Sequence, residues 1–442
     1  MAWNAASIHF PPTSWVRVTP RPADVRQKVD AYFASLPPRP SGLRYERAYL
    51  RVKRKYTIYK SNPLHINDVI RQYPHPDRSP GQPWTSYGFR RKDEVNPLYI
   101  KQYVHNLKYG VYSSCKTPCT AATRSHVAKT PKFRLIWAYP VHITMAEGMF
   151  AVPLIRAFQA SRSHYALWVN YAKGDLRRIM VSKPKGYQWL STDWRAFDSR
   201  VPAWLIRDAF AILRENLDFS RYQEYGKPTH PESLPRLWKA VVRYFINTPI
   251  RLPSGEVKVK HQGVPSGSYF TSLVDSVCNA LAMEYLLDGS EYRAGCDLQL
   301  GDDSLYAVRG KLSIQRLDYE AGKVFGFQLN KDKTERGNYV SFLGFRMSPQ
   351  GYPLVGYDKL MAQLQLPAKR DQFLGDFVSR ARALQLCCFG HGCKRFVEEV
   401  QCWLDTIPSV EYHLRPRDDL RVKLEALGLD HWPPLHRVMQ VV

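Results

Sequence analysis

Apolar and polar positions change period several times along the chain, and each change predicts an element. Val181 to Gly186 (VSKPKG) reads as a turn, and Tyr187 to Asp193 (YQWLSTD) as a short strand that ends in a carboxylate. A second carboxylate, Asp198, follows five residues on. Beyond it Pro202 can occupy the first turn of a helix capped by Asp198 or Ser199, with Leu205, Ala209, Ile212 and Leu213 on one apolar face. Asp218 to Pro235 is polar and interrupted by prolines, so it reads as an irregular insertion, and Ile246 to Lys260 as a hairpin turning at Pro253-Ser254-Gly255. A long helix is expected from about Thr271 to Leu287, because Leu273, Val274, Val277, Cys278, Leu281, Ala282, Tyr285 and Leu286 recur at helical spacing. On that helix Thr271, Asp275 and Asn279 form a second, polar stripe. Leu298 to Val308 (LQLGDDSLYAV) pairs two apolar runs around Gly301-Asp302-Asp303-Ser304 and predicts a second hairpin. The first forty residues are Pro-rich and read as an extended arm lying on another lobe; from Gly351 onward the pattern is mostly helical. There is no internal repeat or sustained heptad.

Composition narrows the class. With 44% apolar and 13% aromatic residues over 442 positions, the chain can bury a large core, which excludes a disordered basic tail and suggests two to four packed lobes. No uninterrupted apolar run approaches membrane-span length, and Met1 to Phe10 lacks the pattern of a signal peptide, so a protein kept in the cytoplasm is expected. Eight scattered cysteines fit reduced thiols. Cys387, Cys388, His391 and Cys393, and separately Cys115, Cys119 and His126, have the residue types of a zinc site but not its paired four-ligand spacing.

The formal charge is +25, and it is unevenly placed. Met1 to Pro140 holds 24 Lys and Arg against 7 Asp and Glu, and no acid occurs from Val95 to Ala146. Such a surface attracts polyanions, although net charge alone does not separate nucleic acid from a membrane or an acidic protein.

The acids supply the local signal. Gly and Asp favour turns for backbone reasons, so Gly301-Asp302-Asp303 by itself says little. A strand ending in Asp193, followed some hundred residues later by a hairpin with two more carboxylates, makes a hard-oxygen set suited to Mg²⁺. Two such ions about 3.5–4 Å apart serve in-line phosphoryl displacement. Between these segments, the small-residue loop Gly263-Val264-Pro265-Ser266-Gly267-Ser268 lets a backbone or a nucleotide approach closely and puts amide N–H groups at the start of the long helix.

This ordered set resembles motifs A, B and C of viral RNA-dependent RNA polymerases, and Gly263 to Thr271 (GVPSGSYFT) is most similar in wording to partitiviruses and related double-stranded RNA viruses. Lys132 to Pro140 (KFRLIWAYP) resembles motif F, Asn330 to Glu335 (NKDKTE) the end of motif D, and Phe342 to Phe345 (FLGF) motif E. The resemblance runs from about Arg124 to Met347 and implies an α+β right-hand fold. In that fold residues 1–185 would form the N-terminal arm and fingers with motif F, 186–212 palm motif A, 213–261 a fingers insertion, 262–350 palm motifs B to E, and 351–442 a helical thumb.

It also implies roles. Asp193 and Asp302, with Asp303 as accessory, would be the catalytic metal ligands for two Mg²⁺ or Mn²⁺ ions, and Lys333 the general acid. Nucleotide binding would fall to Lys129, Lys132, Arg134, Asp198, Ser266, Gly267, Thr271, Asp275 and Asn279. Many relatives carry Asn where this chain has Asp275, and Asp275 is expected to accept a hydrogen bond from Ser266 or Thr271. The implied partners are RNA template and product, nucleoside triphosphates and a viral capsid protein, in the virion interior or host cytoplasm. A reverse transcriptase would share the palm but is expected to hold a bulky aromatic at the position of Asp198. A non-catalytic RNA-binding or capsid-associated protein would explain the charge but not the three acids. No Walker A sequence, dinucleotide fingerprint, zincin helix or nucleophile elbow is present.

Overall fold

The computed structural model describes residues 10–406, apart from 113, 293–295, 369–370 and 389–392, together with Leu424. The signal-peptide reading of residues 1–9, His391 of the cysteine cluster, and most of the expected thumb beyond residue 406 lie outside the described residues.

Three sheets and a set of buried helices build the molecule. At the centre is the strand Gln188–Thr192, buried from Trp189 onward and flanked on both sides by antiparallel partners, as its apolar content requires. On one side it pairs with Asp303–Arg309, in a register that sets Gln188 opposite Val308 and Thr192 opposite Ser304; on the other it pairs with Glu335–Gly337. Leu298–Leu300 and Glu291–Tyr292 complete the five-stranded sheet along the outer edge of Asp303–Arg309. The expected hairpin is therefore present, with Gly301 at φ 64° in its turn.

The helix Thr271–Leu286 packs on this sheet and is buried nearly all round, from Leu273 to Glu284, which is why it carries so few charges. Helices Leu43–Lys55 and Ala203–Arg214 cover its other faces. Lys55 reaches both Glu284 and Asp297, and Arg51 reaches Glu284 at 2.8 Å and Asp288 at 3.0 Å, so the buried acids beneath the sheet are paired.

A second sheet runs Phe133–Ala138, Cys119–Ser125, Pro249–Arg251, Val257–Val259, so the hairpin expected around Pro253 joins this sheet and not the central one. A third, formed by Ser341–Phe342, Phe345–Met347 and Pro353–Leu354, leads to helices Tyr357–Gln365, Leu374–Leu386 and Lys394–Leu404. These have their own core of Leu360, Leu364, Phe377, Phe396 and Val400.

Three sequence expectations need correction. Neither Asp198 nor Ser199 caps the helix at 203–214: Pro202 is the capping residue, and Asp198 lies in a separate turn of helix, Phe197–Arg200. Pro202 forces Val201 into extended backbone (φ −76°, ψ 115°), which parts the two helices and leaves Asp198 free to face the cleft. Pro235 belongs to the first turn of Ser233–Ile246, a position that tolerates proline. The N-terminal arm does lie across other lobes, with Arg17 bonded to the carbonyls of Leu366 and Ser125, but it contains the helix Pro22–Asp30. Val25, Val29 and Tyr32 recur at helical spacing there and bury against the second sheet.

Among the described residues one helix, Val141–Ser161, is long and apolar enough to cross a membrane, although Glu147 interrupts the apolar run; 78% of its most apolar window is buried inside the protein. One carboxylate oxygen of Glu147 accepts from Ser268 Oγ at 2.8 Å and the Tyr269 amide at 2.9 Å, while Oε1 has no partner. Burial pushes this carboxyl up to about 8, against the two hydrogen bonds that favour its charged form. The folded chain therefore holds a proton that the unfolded chain releases near pH 4.5, so Glu147 favours folding below about 4.5 and loses that contribution as pH rises to about 8. Urea denaturation of Glu147→Gln should show a flatter decline of stability over that window than the parent chain; parallel pH dependences would contradict the assignment.

Candidate active site

Because Thr192 faces Ser304, the residues that follow and precede them, Asp193 and Asp303, meet at the same end of the sheet, with Asp302 in the adjoining turn. The hydroxyls of Thr192 and Ser304 bond across the strands and hold that register. The three carboxylates line a cavity of about 950 Å³ together with Lys132, Arg134, Asp198, Ser266, Thr271, Asp275 and Lys333. Asp193 is held on both oxygens, by Asn330 Nδ2 at 2.9 Å and Lys333 Nζ at 2.6 Å.

The acids are crowded beyond what their cationic neighbours offset. Burial, then the charges of Asp302 and Asp193, push Asp303 up to about 7. Burial and Asp193 raise Asp302, although Arg134 and Lys333 oppose the shift. Asp198 rises to about 6 through burial and the charge of Asp302, and Asp275 rises well above the carboxylate range through burial and the charges of Asp198 and Asp302. Burial lowers Lys132, with Lys333 and Arg134 adding to the effect. Burial also works against the charge on Lys333, but its bond to Asp193 outweighs that and leaves the ammonium strengthened.

An all-oxygen set whose members repel one another fits a divalent hard cation. Among the described residues no three His, Cys, Asp or Glu side chains already converge as a cage, and Asp193 is directed at Lys333 and Asn330. Lys28, Lys132, Arg134 and Lys359, which also line the cavity, make no ion pair among the described residues, so their charges are available to phosphate.

The loop before the long helix is clamped from two sides. Trp137 N donates to Ser266 O at 2.8 Å and Ser266 Oγ to Leu135 O at 2.7 Å, which binds the loop to the strand Phe133–Ala138. Gly267 makes this approach possible: at φ 137°, a Cβ there would sit 2.1 Å from Trp137 O. Gly267 thus shapes the loop without lining the cavity. Lys129 is exposed and also lies off the cavity lining.

The polar stripe divides. Asp275 faces the cavity, whereas Asn279 is buried behind it, accepting from Trp194 Nε1 at 2.9 Å and donating to Gly301 O at 3.1 Å. Asp275 does not receive the expected hydrogen bond. Ser266 donates to Leu135 O in the neighbouring strand and Thr271 Oγ1 to Pro265 O in the loop at 2.7 Å, and Asp275 Oδ1 is left buried without a partner.

Several cavity residues escape sequence reasoning: Lys28 and Tyr32 from the N-terminal arm, Arg195 and Lys359. Leu343 lines the cavity from the segment that resembles motif E, and both Leu343 and Gly344 have positive φ, 49° and 83°, the signature of a tight two-residue hairpin turn. Lys28 and Lys359 reach the cavity from opposite ends of the chain, and no local pattern reports that.

Residues 46–402 match the family model for viral RNA-dependent RNA polymerase. The chain is 29% identical over 327 residues to the RNA-directed RNA polymerase of Cryptosporidium parvum virus 1 (strain KSU-1), a match covering 67% of this chain and 59% of that protein. It is 30% identical over 140 residues to the RNA-directed RNA polymerase of White clover cryptic virus 1, covering 29% and 23% of the two chains. The chain therefore spans less than two thirds of the length of these relatives. In fold it is similar to the RNA-dependent RNA polymerase of a human picobirnavirus, with a TM-score of 0.67 at 14% identity over 86% of this chain and 73% of that one.

Substituting Gly267→Ala should drive the loop off Trp137 and lower stability by roughly 1–3 kcal/mol, through strain and overpacking together. Chemical denaturation measures this; an unchanged midpoint would show that the close approach is not needed.

Proposed function

The chain belongs to the viral RNA-dependent RNA polymerase family, and from that membership we propose that it copies RNA from an RNA template, joining nucleoside triphosphates to an RNA 3′-hydroxyl in the carboxylate-lined cavity. The observation that carries this reading is the arrival of Asp193, Asp302 and Asp303 at one sheet end, in a cavity also lined by Lys28, Lys132, Arg134 and Lys359, which make no ion pair among the described residues. Asp193 and Asp302, with Asp303 as accessory, would hold two Mg²⁺ or Mn²⁺ ions, which when bound activate the 3′-hydroxyl and offset charge on the departing pyrophosphate.

The remaining steps fall to the chain's own groups. Lys132 and Arg134 grip the triphosphate, the planar guanidinium engaging two oxygens at once. Asp198, Ser266 and Thr271 read the ribose, and Asp275, whose carboxyl is pushed well above the usual carboxylate range by burial and by the charges of Asp198 and Asp302, lies beside Asp198. Lys333 keeps its proton while bonded to Asp193 and gives it to pyrophosphate as the charge there develops. Residues 1–185 and 213–261 would be fingers, 186–212 and 262–350 palm, and 351–442 thumb; the pairing of Pro249–Arg251 with Cys119–Ser125 supports placing the insertion with the fingers. On the same reading a viral capsid protein is a partner, and the enzyme works in the virion interior or host cytoplasm.

Purified protein should incorporate labelled ribonucleotides on a single-stranded RNA template, and Asp193→Ala and Asp302→Ala should each lower the rate at least about a hundredfold. If the parent and both folded variants behave alike, the catalytic assignment is wrong. Preference for deoxyribonucleotides would favour the reverse-transcriptase reading and remove the ribose role of Asp198. RNA binding should weaken steeply with added salt, given the excess of cations ahead of the palm; a flat salt dependence would contradict the role of the basic lobe.

A further inference from the structure

None of the segments that carry the polymerase resemblance contains Tyr32, yet it touches two of them and is separated from a third only by Gly263. It sits in the turn Ala31–Phe33 at the end of the N-terminal helix, 4% exposed, and its edge forms part of the cavity wall. Its hydroxyl donates to Val264 O at 3.2 Å, and its ring meets Trp137 edge-on, with centroids 5.1 Å apart at 67°. Gly263 lies pressed between this ring and the motif A turn: a Cβ at Gly263 would be 2.5 Å from Tyr32 Cδ1 and 2.8 Å from Asp198 O.

The contacts continue on the far side of Gly263. Val264 N donates to Asp198 O at 2.6 Å and Gly263 N to Val201 O at 2.7 Å, so the loop whose one face rests on Tyr32 is bonded by its other face to the backbone that carries Asp198. Two residues on, Ser266 O accepts from Trp137 N, the same Trp137 that Tyr32 packs against. Tyr32 therefore sets the spacing between the turn bearing Asp198, the loop bearing Ser266, and the strand bearing Arg134.

We propose that Tyr32 is a positioning residue for the ribose subsite: it fixes Asp198 and Ser266 at the separation at which they distinguish a ribonucleotide from a deoxyribonucleotide. The proposal rests on reading the cavity as the nucleoside triphosphate site. It makes the N-terminal arm part of the selecting machinery, although the arm carries no polymerase motif. A residue that merely fills the core would affect stability and would weaken both kinds of nucleotide alike. A positioning residue changes the ratio between them, because the energy lost is that of contacts made only to the 2′-hydroxyl.

The test compares full-length parent, Tyr32→Phe and Tyr32→Ala in two measurements: equilibrium binding of ATP and of dATP, and kcat/KM for each on an RNA template. Tyr32→Ala should reduce the ATP-to-dATP preference by about thirtyfold, chiefly through weaker ATP binding, since small displacements of positioning groups carry effects of this order. Tyr32→Phe loses one hydrogen bond but keeps the ring and should reduce the preference only about threefold. Tyr32→Leu keeps an apolar side chain at the position and gives the same reading if the alanine variant does not fold. A parent that prefers ATP, with folded alanine or leucine variants keeping the parent's ratio or losing both nucleotides equally, would overturn the role of Tyr32 alone. A parent that binds neither nucleotide would instead overturn the reading of the cavity, and with it the proposal.

Discussion

Thr192 and Ser304 stand opposite each other on antiparallel strands, and the meeting of Asp193, Asp302 and Asp303 at one end of the cleft follows from that pairing. Side chains on a strand alternate between faces, so a slip of one residue would turn Asp303 away from Asp193 and toward the opposite apolar layer of Leu190, Tyr306 and Val308. The hydroxyl bond between Thr192 and Ser304 is specific to one register, and the burial of Trp189, Leu190, Tyr306 and Val308 penalises the others. The helix Thr271–Leu286 adds a second lock, since Asn279 ties Trp194, just past the central strand, to Gly301 in the hairpin turn.

With the acids fixed, electrostatics gives the cleft its division of labour. Carboxylates are concentrated at one sheet end, where burial and mutual repulsion make them poor at staying ionised without a cation. The cations that face them come from three distant parts of the chain: the N-terminal arm with Lys28, the strand Phe133–Ala138 and its start with Arg134 and Lys132, and the helix Tyr357–Gln365 with Lys359. On the proposed reading, a metal-bound triphosphate would complete both sets at once. The loop 263–268 lies between the two sets, bonded to the motif A turn and to the Arg134 strand.

How much of this was legible in sequence depends on the range of the interaction involved. The strand at 188–192, the hairpin at 298–309 and the helix at 271–286 follow from local periodicity, and the structure has all three. The clustering of Asp193 with Asp302 and Asp303 came from order along the chain and family resemblance, since no local rule pairs strands a hundred residues apart. Local reasoning failed where a neighbour overrode it. Pro202 sets the backbone of Val201 and puts Asp198 and Ser199 in a separate helical turn, where the pattern had made one of them the cap of the following helix. Ser266 and Thr271 bond to backbone carbonyls of the neighbouring strand and of the loop and leave Asp275 Oδ1 without a partner, a choice that residue types do not encode. Lys28, Tyr32 and Lys359 reach the cavity only through tertiary packing, so their sequence surroundings carry no mark of it.

Whether the register-locked carboxylates form the proposed divalent-cation site is measured without reference to turnover by electron paramagnetic resonance of Mn²⁺ titrated into the folded protein. Saturable Mn²⁺ binding by the parent chain should be lost or strongly weakened in both Asp193→Asn and Asp302→Asn while each variant remains folded. Equal Mn²⁺ binding by the parent and both variants would show that these carboxylates do not hold the metal.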